Sequence, residues 1–450
     1  MLRQAKMDLQ NKMRHLFKDR STRILAVLIF LIHVSGFTFK AIEGGYYLDD
    51  SIEYLYMAEN IADEGIFYCG DLSKPINPDF FTKRPPLYSL FVSAMHFVFN
   101  SDVAVILLQN FISIFNILLL VILAIKLGQT SVKIALLVML LSPVQVIYAN
   151  MLMSEIILQT WILLMVNSFL NFLRTKDSLN FLWISIFLIL AMLTKPVMYP
   201  FALILLIIGA FYFYKHRVKA ALIYCLLPLF FILGYNSWNY KRTGVFHFSS
   251  IQTINLVQYN TYFFIKNQFG DQKADEFLKS TYREANQIEN YAERQAFLKG
   301  TAVSKIKENL PEYLFFHAKG TARWFVDPGR FDFYNFLGVK AEKSSGYLHQ
   351  LNREGLGHTI QNFFRQPLWM VLMLVATFAI RLSLTVLMII WFFFGKHGFL
   401  VKLAILVPVL FVAAATGPLG ASRFMLPLLP LIILAASSAL HKTLHQKKFG

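Results

Sequence analysis

Apolar runs about as long as a bilayer is thick, roughly 20 residues, recur along the chain, and no other feature restricts its fold so strongly. Stretches such as FLWISIFLIL and FALILLIIGAFYFY are apolar almost all round. A soluble chain of 450 residues would instead alternate apolar and polar faces along its helices. The expected fold class is therefore an all-α polytopic membrane protein, with the lipid bilayer as its first partner. The net charge of +17 could point to nucleic acid, but its placement excludes that reading. Arg3, Lys6, Lys12, Arg14, Lys18, Arg20 and Arg23 precede the first apolar run, Arg174 and Lys176 follow another, and Lys215, Arg217 and Lys219 lie between two more. Basic loops of this kind stay on the cytoplasmic side.

Threading the chain by that rule gives ten spans, at 23–42, 103–125, 134–148, 156–173, 179–193, a sixth ending at Lys215, 220–238, 367–394, 399–415 and 424–440. The first is too long for a cleaved leader and is read as a signal anchor. Both termini are then cytoplasmic. Residues 87–99 cover only about 20 Å as a helix and are placed at the outer interface. Span 8 carries Arg381 in its middle, so a surface helix running into a shorter span is expected there. Cys69 and Cys225 are poorly placed to pair. Three regions follow: a transmembrane module at 1–245 with its first outer loop at 43–102, an extracytoplasmic region at 246–366, and C-terminal spans at 367–450.

On this threading the charges that look misplaced in a hydrophobic protein meet on the outer side: Asp49, Asp50, Lys83, Arg84, Glu155, Lys195 and Arg423. Asp50 can cap the helix that ends at Gly65, and can also act as general base on an acceptor hydroxyl. Asp49 beside it either raises its pKa or points to water. Lys83 and Arg84 precede Pro85-Pro86, a stiff turn that suits phosphate binding or a lipid-headgroup anchor. Lys195 precedes Pro196, where a helix must break, and needs an anion nearby. Glu155 fits either the dipole of the helix it opens or the site. Tyr46, Tyr47, Tyr54, Tyr56, Tyr68 and Tyr88 suit sugar stacking or an interfacial belt. His441 and His445 lack a third metal ligand, and there is no Walker or dinucleotide glycine pattern. No cofactor is required, though a divalent cation could be accommodated.

In sequence order these motifs resemble the GT-C superfamily of membrane glycosyltransferases, near its protein O-mannosyltransferase and lipid A aminoarabinose transferase branch. The resemblance rests on Asp50, Tyr54, Ala58 and Gly65 in the first loop, with Ser51 standing where the family has Glu and Asp49 as its substitute. Arg84-Pro85-Pro86-Leu87, Ser142-Pro143 with Ser154-Glu155, Thr194-Lys195-Pro196, Asn239-Tyr240 with Gly244, and Arg423-Phe424 with Leu426-Pro427 continue it. It implies a GT-C helical bundle of ten to twelve transmembrane helices in the cell inner or plasma membrane, with its active site outside. It further implies a polyprenyl-phosphate-linked sugar as donor and transfer with inversion to an extracytoplasmic acceptor. Asp50 would be the base, Arg84 and Lys195 the phosphate clamp supported by Lys83 and Arg423, and Glu155 a helper. Tyr54, Tyr88 and Asn239 would contact substrate, and the region 246–366 would recognise the acceptor. The rivals are an oligosaccharide ligase or polymerase using a polyprenyl diphosphate, and a lipid or solute transporter.

Overall fold

The computed structural model describes residues 11–128, 130–339, 357, 361 and 363–446, the last six by backbone alone. Arg3 and Lys6, part of the region 246–366, and the side chains of His441, Lys442 and His445 lie outside the described residues.

Helices and short helical turns make up all regular structure among the described residues. Seven helical segments there are long and apolar enough to cross a membrane, or eight if one bent pair counts as a span. The chain is a multi-pass helical membrane protein. In order the helices of its first half are α1 Arg20–Glu43, α2 Asp49–Glu64, α3 Leu87–Phe99, α4 Asp102–Leu127, α5 Val132–Leu140, α6 Pro143–Ala149, α7 Glu155–Thr175, α8 Leu179–Thr194, α9 Phe201–His216 and α10 Lys219–Thr243. After two short turns come α11 Tyr262–Phe269, α12 Asp271–Ala285, α13 Tyr291–Glu308, α14 Leu310–Val326 and α15 Arg330–Phe336, then α16 Leu368–Phe394, α17 Phe399–Ala415 and α18 Leu429–Gln446.

Three expectations change. Spans 5 and 9 are α8 and α17, of 16 and 17 residues, about 24–26 Å long and short of a hydrocarbon core of about 30 Å. Span 3 is bent by 62° between α5 and α6, because Pro143 has no N–H to continue the ladder and keeps Ser142 before it out of the helical region, at φ −107° and ψ 85°. Span 8 is not a surface helix leading into a shorter span. It is the single 27-residue helix α16, and its Arg381 is 4% exposed.

The segment Ser422–Leu440 is the most enclosed of the spans, whereas α1 and α10 are the least. Amide pairs fix the register around it. Gln145 and Gln159 bond each other reciprocally at 2.8 and 3.0 Å, and Gln159 also donates to the Leu426 carbonyl at 2.8 Å. Inside an apolar bundle such groups are costly unless paired, so they hold α6, α7 and the C-terminal segment in one alignment. That alignment places Glu155, one turn before Gln159, opposite Arg423, three residues before Leu426.

Candidate active site

Helix α2 starts where its sequence supplies the cap. Ser51 Oγ accepts from the Leu48 N–H at 2.8 Å and donates to the Leu152 carbonyl at 2.8 Å. The N-cap residue is Leu48, so Asp50 is not the cap that its position suggests. Ser51 does that work and also ties α2 to the segment before α7. The helix ends as read at Gly65, whose φ of 70° is left-handed. Asp50 and Glu53, three residues apart, then share one face of the helix.

The turn carrying Lys83 and Arg84 is fixed from several sides. A 3-10 turn at Pro78–Phe81 leads into it, capped by Asn77. Ser249 Oγ donates to the Lys83 carbonyl at 3.0 Å and Ser250 Oγ to the Asp79 carbonyl at 2.8 Å. From α13, Tyr291 Oη and Gln295 Nε2 donate to Asp79 Oδ1 at 2.7 and 2.8 Å. The region after α10 therefore buttresses the cationic turn directly. Asn239 sits behind this contact, its amide donating to the His247 and Phe248 carbonyls at 2.9 and 3.0 Å.

Lys195 follows α8 in an extended conformation, φ −144° and ψ 129°, as the residue before a proline must. It thereby leaves the helix axis and meets Glu155 at the first turn of α7. Arg423 enters from the 3-10 turn Ser422–Leu428.

Together these segments form an unbroken alternating chain of charge. Lys83 Nζ meets Glu53 Oε1 at 2.5 Å, and Glu53 Oε2 meets Arg84 Nε at 2.6 Å. Arg84 Nη2 meets Asp50 Oδ1 at 2.7 Å, and Asp50 Oδ2 pairs with Arg423 Nη2. Arg423 Nε meets Glu155 Oε1 at 2.8 Å, which also takes Lys195 Nζ at 2.5 Å. Four cations face three carboxylates, so the chain has a cation at each end and one positive charge in excess. Its members are 0 to 20% exposed, so their mutual attractions are only weakly screened. Burial alone would raise the Asp50 carboxyl, but Arg423, Arg84 and Lys195 outweigh it and hold Asp50 well below the usual carboxylate range. Asp50 is thus ionised, and a poor base while both guanidinium groups stay on it. Glu155 Oε2 is enclosed with no hydrogen-bond partner among the described residues.

Of the predicted cluster, Asp50, Lys83, Arg84, Glu155, Lys195 and Arg423 come together. Asp49 does not: it is exposed and joins no ion pair among the described residues, because its side chain leaves α2 about 100° from that of Asp50. Tyr54, Tyr88 and Asn239, expected to contact substrate, are each 0 to 1% exposed and bonded within the protein. Tyr54 bonds Ser154 Oγ at 3.1 Å and lies 5.3 Å beneath the Arg84 guanidinium, while Tyr88 donates to Gln109 Oε1 at 2.6 Å. Burial pushes the Tyr54 phenol up to about 12, so it stays neutral. Tyr68 is buried as well rather than part of a belt. Sequence reading missed Glu53, whose spacing of three from Asp50 was its signal, and Asp79, which had none.

Comparison with known proteins gives no match, either to a family model or to a curated protein.

Proposed function

We propose that the chain is a membrane glycosyltransferase of GT-C type that moves a sugar from a polyprenyl-phosphate carrier to a hydroxyl of an extracytoplasmic acceptor, with inversion. The observation that carries this reading is the alternating charge chain centred on Asp50. Its excess of one positive charge matches the single negative charge of a sugar phosphodiester, and a diphosphate carrier would leave the site short by one. That count favours the monophosphate donor over the ligase or polymerase alternative. A transporter would be expected to place such groups at the bilayer midplane on broken helices, and here they sit where helices begin or end.

On this reading the site faces outward, with both termini cytoplasmic. The donor phosphate draws Arg84 and Arg423 from Asp50, which frees its carboxylate. Asp50 takes the proton of the acceptor hydroxyl as that oxygen attacks the anomeric carbon from the face opposite the phosphate. The bond from that carbon to the phosphate oxygen breaks, its electron pair goes to the phosphate, and one displacement inverts the centre. A cation about 4 Å from the departing oxygen stabilises its charge by roughly 4 kcal/mol at an effective dielectric near 20. Glu155 keeps Lys195 and Arg423 aligned and offers Oε2 to a substrate hydroxyl.

The test is transfer in proteoliposomes with radiolabelled polyprenyl-phosphate and polyprenyl-diphosphate sugars and an envelope extract as acceptor. Label on an acceptor from the monophosphate series, with polyprenyl phosphate released, is expected. Label from the diphosphate series alone would overturn the charge argument, and none from either would sink the transferase reading.

A further inference from the structure

Behind Arg423 lies a second polar cluster that the charge chain does not include. Ser422 is its centre. Its N–H donates to Asp327 Oδ2 at 2.6 Å, and its Oγ donates to Asp332 Oδ2 at 2.6 Å while accepting from Arg381 Nη2 at 2.9 Å. Arg381 Nη1 also donates to the Asp327 carbonyl at 2.6 Å, and Tyr148 Oη donates to Asp332 Oδ1 at 2.6 Å. Four elements meet here: α6, the turn and helix α15, α16, and the segment that opens with Ser422. A turn at Gly329 with φ +76° permits the approach, since a Cβ there would stand 2.8 Å from both Asp332 Oδ2 and Ser422 Oγ. This is also why Arg381 is tolerated in the middle of an apolar helix.

We infer that Asp332 is a positioning residue that, through Ser422, holds the Arg423 guanidinium on Asp50 and Glu155, and that protonating Asp332 releases it. Asp332 touches no member of the charge chain, so any effect must pass through Ser422 and the backbone it shares with Arg423. An ionised Asp332 accepts from both hydroxyls and balances Arg381. A protonated one keeps a single carbonyl oxygen for two hydroxyls, and with the proton on Oδ2 the Ser422 hydroxyl, already accepting from Arg381, loses the acceptor for its own proton. The groups facing Asp332 are Tyr148 on α6, Asp327 in the preceding turn, Arg381 on α16 and Ser422; Arg423 and Glu155 lie beyond Tyr148. Burial, with Asp327 adding to it, pushes Asp332 up to about 6 although Ser422, Tyr148 and Arg381 oppose the shift. The switch then falls in a range where Asp50 remains ionised.

This inference rests on the role proposed for Arg423, and its test has one arm that does not. In that arm, hydrogen exchange of the Ser422 region is followed on the full chain in micelles at about pH 5 and about pH 7.5, corrected for intrinsic rates. Wild type should exchange at least about tenfold faster at the lower pH, and Asp332→Asn and Ser422→Ala should be fast at both. Protection that is independent of pH in wild type and unchanged in Asp332→Asn overturns the inference. In the second arm, transfer by Asp332→Asn should show a donor KM raised about tenfold with kcat within about threefold of wild type, and no acid limb near pH 6. A merely structural defect would lower kcat in proportion to lost protein and leave KM and the limb in place, which also overturns it. Exchange as expected with no transfer by any form would fell the transferase reading and leave the positioning role standing.

Discussion

Asp50 and Asp332 are two enclosed carboxyl groups, one paired with Arg423 and the other bonded to Ser422 beside it, yet their surroundings treat them in opposite ways. Asp50 is gripped by two guanidinium groups and keeps 19% of its side chain exposed. Asp332, 5% exposed, is held by two hydroxyls. Charged partners drive the first below the usual range, and burial drives the second up to about 6. Cations that already hold a carboxylate can exchange it for a phosphate at little net cost, because one buried ion pair replaces another. Neutral hydrogen bonds around a desolvated acid offer no such exchange and instead specify one geometry. The first surrounding suits a binding site, and the second a scaffold.

The largest break between the two is expected from Asp50→Asn. Loss of a general base lowers turnover by roughly 10²- to 10⁴-fold, and the amide keeps the size and one acceptor oxygen of the carboxylate. Transfer should therefore collapse while donor binding, followed by titration with the labelled donor, stays close to wild type. Full activity in this variant would remove Asp50 from the chemistry. Next comes Arg423→Ala, which strips a partner from both Asp50 and Glu155. Arg84 and Lys195 still pair with Asp50 and Glu155, but Glu155 is fully enclosed, and the loss of one of its two cations should lower thermal melting and weaken donor binding. Arg84→Ala should do less to melting, because Glu53, which it leaves with Lys83 alone, is 19% exposed whereas Glu155 is fully enclosed. The reverse order would place the centre of the charge chain elsewhere.

Stability against pH sharpens the comparison with two opposite slopes. The Asp332 pKa is raised in the folded protein, so its contribution is full below the unfolded value of 3.8 and is lost as pH rises to about 6. That shift amounts to about 3 kcal/mol at neutral pH. The Asp50 pKa is lowered, so its contribution is present above 3.8 and is lost as pH falls. Between about pH 4 and 6.5 the slope belongs to Asp332. Asp332→Asn should flatten that slope. A melting curve unchanged in slope would mean that Asp332 carries no such strain.

Sequence made the spans and most of the charge chain legible because both follow from local rules. Apolar length marks a helix, and a cation before proline at Arg84 or Lys195 must leave its helix axis. What it hid depends on contacts made at a distance. Nothing in RFDFYNF announces that Asp332 meets Ser422 ninety residues later. Arg381 did announce that it needed partners, but not that Asp327 and Ser422 would be those partners. The bend at Pro143 was written in the chain as well, and reading 134–148 as one straight span overlooked it. The burial of Tyr54 and Tyr88 was not legible, because an aromatic residue near a membrane surface serves a belt, a sugar platform or a core equally well, and only packing decides.

The smallest effect is expected where sequence offered two adjacent acids and structure separated them. Asp49 is exposed on α2 and Asp50 faces Arg84 and Arg423, although one peptide bond divides them. An exposed carboxylate in the first turn of a helix contributes about 0.3–1 kcal/mol through the helix dipole, and its influence on a charge inside the site is screened by water and salt. Asp49→Asn should thus leave kcat within about twofold of wild type and shift melting only slightly. If it instead impaired transfer as much as Asp50→Asn, α2 would have to turn by about 100° on binding donor, the angle between neighbouring side chains on a helix, and the charge chain would describe only the resting protein. Comparing the two neutral variants in one assay decides between a fixed α2 and a rotating one.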